Sequence, residues 1–204
     1  MSAASGWASG ALRHEFTALP MNDVHFILGG MRSGKSHHAQ QQAAQSELQG
    51  LQVVVLATAL AADAEMRVRI ERHRADRPAH WHTVEVAPTQ SGLADAIRAH
   101  AADDVCLLID CLTLWLSQLV CPPPGVVAVC AQAAAADALR ALAEAPGRAI
   151  VVSNEIGLGV VPMDAGTRQV VDELGRLHQR LAAQAQRVSW MVAGLAVSIK
   201  GGLP

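Results

Sequence analysis

The stretch Val24-His25-Phe26-Ile27-Leu28-Gly29-Gly30-Met31-Arg32-Ser33-Gly34-Lys35-Ser36 decides how this chain is read. It opens on a short apolar run suited to a strand. Gly29 to Ser36 then match G-x-x-x-x-G-K-[ST], and Lys35 to Leu48, rich in Ala and Gln, has good helix propensity. Strand, loop and helix are the context a phosphate-cradling loop requires. The glycines let the backbone turn so that its N–H groups face phosphate oxygens, and the helix N-terminus adds partial positive charge. Lys35 would reach the terminal phosphates, and Ser36 would offer its hydroxyl to Mg²⁺.

Working outward, the same alternation repeats. Leu51 to Ala57 reads as a buried strand, Ala61 to about Arg74 as a charged helix, and Trp81 to Val86 as a short strand. Ser91 to Ala101 is helical in pattern, and Val105 to Ile109 is a strongly buried strand ending in Asp110. Leu112 to Val120 predicts a helix, Pro122-Pro123-Pro124-Gly125 a loop, and the Ala-rich tract Val126 to Ala145 an amphipathic helix through Leu139 and Leu142. Arg148 to Val152 is a strand, Asn154 to Pro162 a Gly-rich loop, Asp164 to Ala185 a long helix, and Val188 to Ile199 a strand turning into another. The expected fold is α/β: a mainly parallel sheet covered on both faces, with ligands gathered at the carboxyl ends of the strands.

The bulk properties agree. The 204 residues suffice for one well-filled domain, placed at residues 23–204, with 1–22 as a flexible extension. Apolar residues make up 51% and charged residues 17%, which argues against disorder. A formal charge of −2 gives no reason to expect nucleic acid as a partner and suits a small anionic ligand better. No run reaches the roughly 18 apolar residues a membrane span needs, so the cytoplasm is expected. Cys106, Cys111, Cys121 and Cys130 lack C-x-x-C spacing and read as reduced thiols rather than zinc ligands.

Beyond the loop, three features bear on chemistry. Asp110, at the end of an apolar strand, stands where a P-loop site places its metal-binding acid; the alternative is that it caps the following helix. In Met66 to Trp81 (MRVRIERHRADRPAHW), Arg69, Arg72, Arg74 and Arg77 surround His73, and Met66, Ile70 and His73 share one helical stripe. Nearby guanidinium groups would favour a neutral, nucleophilic imidazole and could grip a polyphosphate; a solvated basic helix with an incidental histidine is the plainer reading. Asn154 to Pro162 could form a wall of the site. His37 and His38 are expected to face solvent.

Gly29 to Ser36, His73 with Arg77-Pro78 and Trp81, Asp110-Cys111-Leu112-Thr113, and Ser153 to Pro162 together resemble the bifunctional adenosylcobinamide kinase/adenosylcobinamide-phosphate guanylyltransferase family of cobalamin biosynthesis. The resemblance runs from about Val24 to Lys200. It implies a P-loop NTPase-like, RecA-like fold and a cytoplasmic homo-oligomer, a trimer. It also implies two reactions: phosphorylation of the adenosylcobinamide hydroxyl, and GMP transfer from GTP to the resulting phosphate with release of pyrophosphate. GTP, ATP and Mg²⁺ are the implied nucleotides and ion, and the corrinoid is the implied partner. The motif position of the family's GMP-carrying histidine falls on His73. Nucleotide contacts carry over to Gly29, Gly30, Met31, Arg32, Ser33, Gly34, Lys35, Ser36, Thr58, Ala59, Leu60, Arg74, Ala75, Asp76, Arg77, Glu85 and Asp110, with Ser36 and Asp110 at the metal. A simple P-loop small-molecule kinase without guanylyl transfer and a non-enzymatic nucleotide switch are the competing readings.

Overall fold

The computed structural model describes residues 23–61 and 63–202. The extension expected at residues 1–22 lies outside them. Elements follow the order β1 (Val24–Gly29), α1 (Lys35–Leu48), β2 (Gln52–Ala57), α2 (Ala64–Ala75), β3 (His82–Glu85), α3 (Gly92–His100) and β4 (Val105–Asp110). Then come α4 (Leu112–Val120), α5 (Ala131–Glu144), β5 (Arg148–Asn154), α6 (Ala165–Gln184), β6 (Arg187–Val192) and β7 (Leu195–Lys200).

All seven strands join one sheet in the order β3-β2-β4-β5-β1-β6-β7, parallel except for the β6–β7 pair at one edge. The expected α/β fold is the observed one. β5 lies between β1, which carries the loop, and β4, which ends in Asp110, and this is the RecA-like arrangement. The β6–β7 hairpin closes through Ala193 and Gly194, both at positive φ (50° and 83°), the geometry a tight antiparallel turn requires.

Strand alternation divides the core. Phe26, Leu28, Leu107, Ile109 and Val151 pack on the face covered by α3, α4, α5 and α6; Ile27, Val55, Leu108, Ile150 and Val152 pack on the face covered by α1. Each of these large side chains is almost wholly buried, a gain of roughly 1.5–3 kcal/mol apiece before chain entropy is counted.

Most boundaries shift by a residue or two, and two helix starts differ more from the sequence reading. The helix expected from Val126 begins only at Ala131, because Val126, Val127 and Val129 follow the proline loop and β-branched residues lose side-chain freedom in a helix. The helix expected from Ala61 begins at Ala64, where Asp63 caps it by accepting a hydrogen bond from the Met66 N–H at 2.7 Å.

Candidate active site

The parallel register brings the carboxyl ends of five strands to one edge: Gly29 beside Asn154, Asp110 beside Val152, and Ala57 between Asp110 and Glu85. A cleft of about 300 Å³ opens there, lined by Met31, Lys35 and Ser36 from the loop and α1, and by Met66, Arg69, Ile70, His73 and Arg74 from α2. Arg77, Thr83, Glu85, Asp110, Cys111, Thr113, Asn154 and Ile156 complete the wall, with Ala57, Ala59 and Leu114. The P-loop, the α2 histidine and the acid at the end of β4 thus share one space.

The loop itself is tightly built. A Cβ at Gly29 would collide with Ser33 Oγ and with Met191, so only glycine lets the loop fold against β6. Arg32 (φ 56°) and Gly34 (φ 92°) take left-handed conformations, the backbone geometry from which anion nests are built, at the start of α1. The β6–β7 turn braces the loop from behind: the Gly194 N–H donates to the Ser33 carbonyl at 3.0 Å. Nothing in the local sequence signalled that brace. Ser33 Oγ is buried without a hydrogen-bond partner among the described residues, and Lys35 Nζ folds back onto the Gly30 carbonyl at 3.2 Å. Burial lowers the Lys35 pKa; Cys111 and Asp110 oppose that shift and Arg69 adds to it. An orphaned hydroxyl, the N–H groups of the α1 N-terminus and a desolvated ammonium are the donors a phosphate chain would satisfy.

Asp110 does not cap the next helix. Cys111 occupies the cap position of α4, and the Asp110 carboxylate instead accepts from Arg77 Nη2 at 3.1 Å, with both side chains largely buried. Arg77 was expected among the cations surrounding His73. The helix ends at Ala75, and Arg77 turns across to β4. The adjacent Cys111 thiol is pushed up to about 11, first by burial and then by the Asp110 charge, so it is a packing group rather than a nucleophile. Ser36 and Asp110 together offer one hydroxyl and one carboxylate on the cleft, a donor set that fits Mg²⁺ completed by phosphate oxygens and water.

Met66, Ile70 and His73 do share the half-buried, cleft-facing stripe of α2, as expected. His80 pairs with Glu47 at 2.6 Å and the His82 ring lies against His100, so neither lines the cleft. Of the positions expected to contact nucleotide, Met31, Lys35, Ser36, Ala59, Arg74, Arg77, Glu85 and Asp110 line it. Gly29, Gly30, Arg32, Ser33 and Gly34 form the loop behind, while Leu60, Ala75 and Asp76 lie outside the lining. Thr58 is buried, and its hydroxyl both donates to the Cys111 carbonyl and accepts from the Cys111 N–H, each at 2.8 Å. It ties the end of β2 to the end of β4. Asn154 and Ile156 supply the wall expected from the Gly-rich segment. His37 faces solvent, but His38 turns inward, edge-on to the buried His25 ring at 6.1 Å. Sequence reading passed over Thr113 as a site residue and His178 altogether.

This fold and this cleft define a P-loop nucleotide-binding α/β protein. Solved structures share the architecture at low identity: the flagellar accessory protein FlaH of Methanocaldococcus jannaschii (TM-score 0.50, 14% identity, 89% of this chain and 80% of that one), and PH0250 of Pyrococcus horikoshii OT3 (TM-score 0.52, 8% identity, 91% and 89%). Residues 25–199 match the family described as cobinamide kinase / cobinamide phosphate guanyltransferase, and the chain belongs to that family. The bifunctional adenosylcobalamin biosynthesis protein CobP of Pseudomonas aeruginosa is 49% identical over 176 residues, spanning 86% of this chain and 96% of that protein. The bifunctional adenosylcobalamin biosynthesis protein CobU of Salmonella typhimurium is 35% identical over 184 residues, 85% and 98% respectively. Among the described residues no helix is long and apolar enough to cross a membrane.

Proposed function

We propose that this protein phosphorylates the hydroxyl of adenosylcobinamide and then transfers GMP from GTP to the new phosphate, releasing pyrophosphate, by way of a GMP-histidine intermediate on His73. The observation that carries this reading is the shared cleft. A phosphate-binding loop with Lys35 and Ser36, an acid at Asp110 and an imidazole at His73 line one cleft, where a kinase without nucleotidyl transfer would need only the first two. The description of the family matched by residues 25–199 names both activities, and the relatives matched over nearly their whole length are called bifunctional.

In the transfer reaction His73 attacks the α-phosphorus of GTP and pyrophosphate leaves with the electrons of the broken α–β bridge. The acceptor phosphate then displaces the histidine and takes the GMP. Lys35 and the loop N–H groups hold the departing phosphates, Arg69, Arg74 and Arg77 add positive charge around the α-phosphate, and Glu85 closes the β3 side. Mg²⁺ held by Ser36 and Asp110 would neutralise phosphate charge, while Arg77 engages Oδ2 of the same carboxylate. ATP or GTP serves the kinase step. Residues 23–204 act as one catalytic domain, working in the cytoplasm as a trimer.

The test uses α-labelled GTP with Mg²⁺. The wild type should acquire acid-labile, alkali-stable label, His73→Ala should acquire none, and adenosylcobinamide phosphate should discharge it. Full labelling of His73→Ala would refute the covalent route. Phosphoryl transfer with no protein-bound GMP in the wild type would favour the simple kinase.

A further inference from the structure

Behind the cleft wall a line of polar side chains runs into the core. Thr113, on the first turn of α4, lines the cleft, and its Oγ1 lies 3.0 Å from Ser153 Oγ at the end of β5. Ser153 Oγ lies 2.8 Å from Nε2 of His178 on α6, and His178 Nδ1 faces Glu155 Oε2 at 3.7 Å. Ser153 is wholly buried, and His178 and Thr113 are nearly so. The other Glu155 oxygen accepts from the Gly157 N–H at 2.6 Å, which holds the carboxylate in place. Three buried polar side chains ending on a partly exposed carboxylate are costly unless every proton has a place.

Counting donors gives each proton its place. Burial, against the opposing pull of Glu155, lowers the His178 pKa to about 4, so the ring is neutral near pH 7 and carries one N–H. The carboxylate beside Nδ1 favours that proton on Nδ1, and Nε2 is then an acceptor. Ser153 must donate to it, and so must accept from Thr113. Thr113 Oγ1 also accepts the Asn154 N–H at 2.7 Å. The Thr113 hydrogen is directed at Ser153 Oγ, with the Asn154 carbonyl a longer second acceptor at 3.4 Å; a hydroxyl oxygen has one hydrogen and two lone pairs, so one lone pair of this cleft-lining residue is left over. Anionic phosphate oxygens bring only lone pairs of their own. The partner that fits is a hydrogen-bond donor, and of the reacting groups of the kinase step only the substrate hydroxyl brings one.

We propose that Thr113 accepts the hydrogen bond of the substrate hydroxyl about to be phosphorylated, and that Ser153, His178 and Glu155 are positioning residues that keep Thr113 turned to receive it. This rests on the kinase half of the proposed function. The hydroxyl oxygen forms its new bond to the γ-phosphorus while the bond from that phosphorus to the bridging oxygen breaks. The nucleoside diphosphate leaves with the electron pair, and the hydroxyl proton passes to water in the open cleft. Thr113 aims the attacking oxygen, and its own hydrogen stays bound to Oγ1 and directed at Ser153 Oγ.

The experiment follows phosphoryl transfer from γ-labelled nucleotide to adenosylcobinamide, and GMP labelling, in the full-length protein. Ser153→Ala and Thr113→Val should each lower kcat for phosphoryl transfer roughly 10- to 100-fold with little change in nucleotide KM, and at least tenfold more than they lower GMP labelling. Thr113→Ser should recover most of the rate, and the Ser153→Ala/Thr113→Val pair should be no worse than Thr113→Val alone. Equal loss of both activities, or independent losses in the pair, would overturn the proposal. ¹⁵N spectra of the wild-type imidazoles give a readout free of folding defects: His178 should carry its proton on Nδ1, and a proton on Nε2 would overturn the proposal. A wild type that forms no phosphorylated adenosylcobinamide defeats the kinase reading and this one with it; an active wild type with unimpaired variants defeats this one alone.

Discussion

The two helices that flank the cleft are built in opposite ways. α1 buries Lys35, Ala39, Ala43 and Ser46 in a stripe against the sheet, so the phosphate-binding loop is fixed by packing. α2 has no fully buried residue; its stripe of Met66, Ile70 and His73 is half-exposed over the cleft. Its ends are held by polar links, the Asp63 cap at one and the Arg77–Asp110 pair just beyond the other. The part that holds phosphate is therefore rigid, while the part that carries the proposed nucleophile is anchored by contacts that a ligand can compete for.

The largest effect should come from the rigid side. Lys35→Ala is expected to lower both phosphoryl and guanylyl transfer about 10²- to 10³-fold, the usual consequence of removing a main charge-stabilising donor, as measured by initial rates with saturating acceptor. Loss of only one activity would separate the two reactions into different sites.

Acid should next strike the packed core rather than α2. The buried His25, whose Nε2 lies 2.8 Å from Ser189 Oγ beneath α1, has its pKa lowered to about 4 by burial first, then by Arg187 and His38. His178 is lowered to about 4 as well. Between about pH 6.5 and 4 the unfolded chain binds more protons at these rings than the folded one. Stability is lost as pH falls through that window and levels off below it, on the order of 3 kcal/mol for each ring. Urea unfolding from pH 7.5 to 4.5 measures this, and a flat stability would contradict it.

Arg77→Met removes the tie between α2 and β4 and leaves the Asp110 carboxylate without its partner, an expected cost of about 2 kcal/mol. Amide exchange should quicken across residues 64–76 while α1 stays protected. Uniform quickening in both helices would erase the contrast between them. The smallest effect is expected of Asp63→Ala, about 1 kcal/mol confined to the start of α2, since the cap is exposed and replaceable by water. Exchange at Met66 should report it with global unfolding nearly unchanged.

Much of this was legible in the sequence because its signals are local. The loop motif needs only eight consecutive residues, the buried strands are continuous apolar runs, and the stripe Met66, Ile70, His73 follows from helical spacing alone. The partners that organise the site were not legible. Thr58 looked like a ligand contact at a strand end, yet its hydroxyl meets the Cys111 backbone; Arg77 looked like a member of a basic helix face, yet it meets Asp110. The Gly194 brace on the loop and the Ser153–His178 contact join segments far apart in the chain, where no periodicity can announce a partner.

By itself the sequence determined an α/β protein with a phosphate-binding loop, a candidate nucleophile at His73 and the family that combines them, since propensity, periodicity and motif spacing act over a few neighbouring residues. Only the tertiary structure decided that Asp110 pairs with Arg77, that His73 lines one cleft with Lys35 and Ser36, and that Thr113 is backed by a buried polar chain. Those outcomes depend on the parallel register and on which side chains the sheet brings within hydrogen-bonding distance. The reason is geometric: a strand fixes where its end lies only after its neighbours have paired with it.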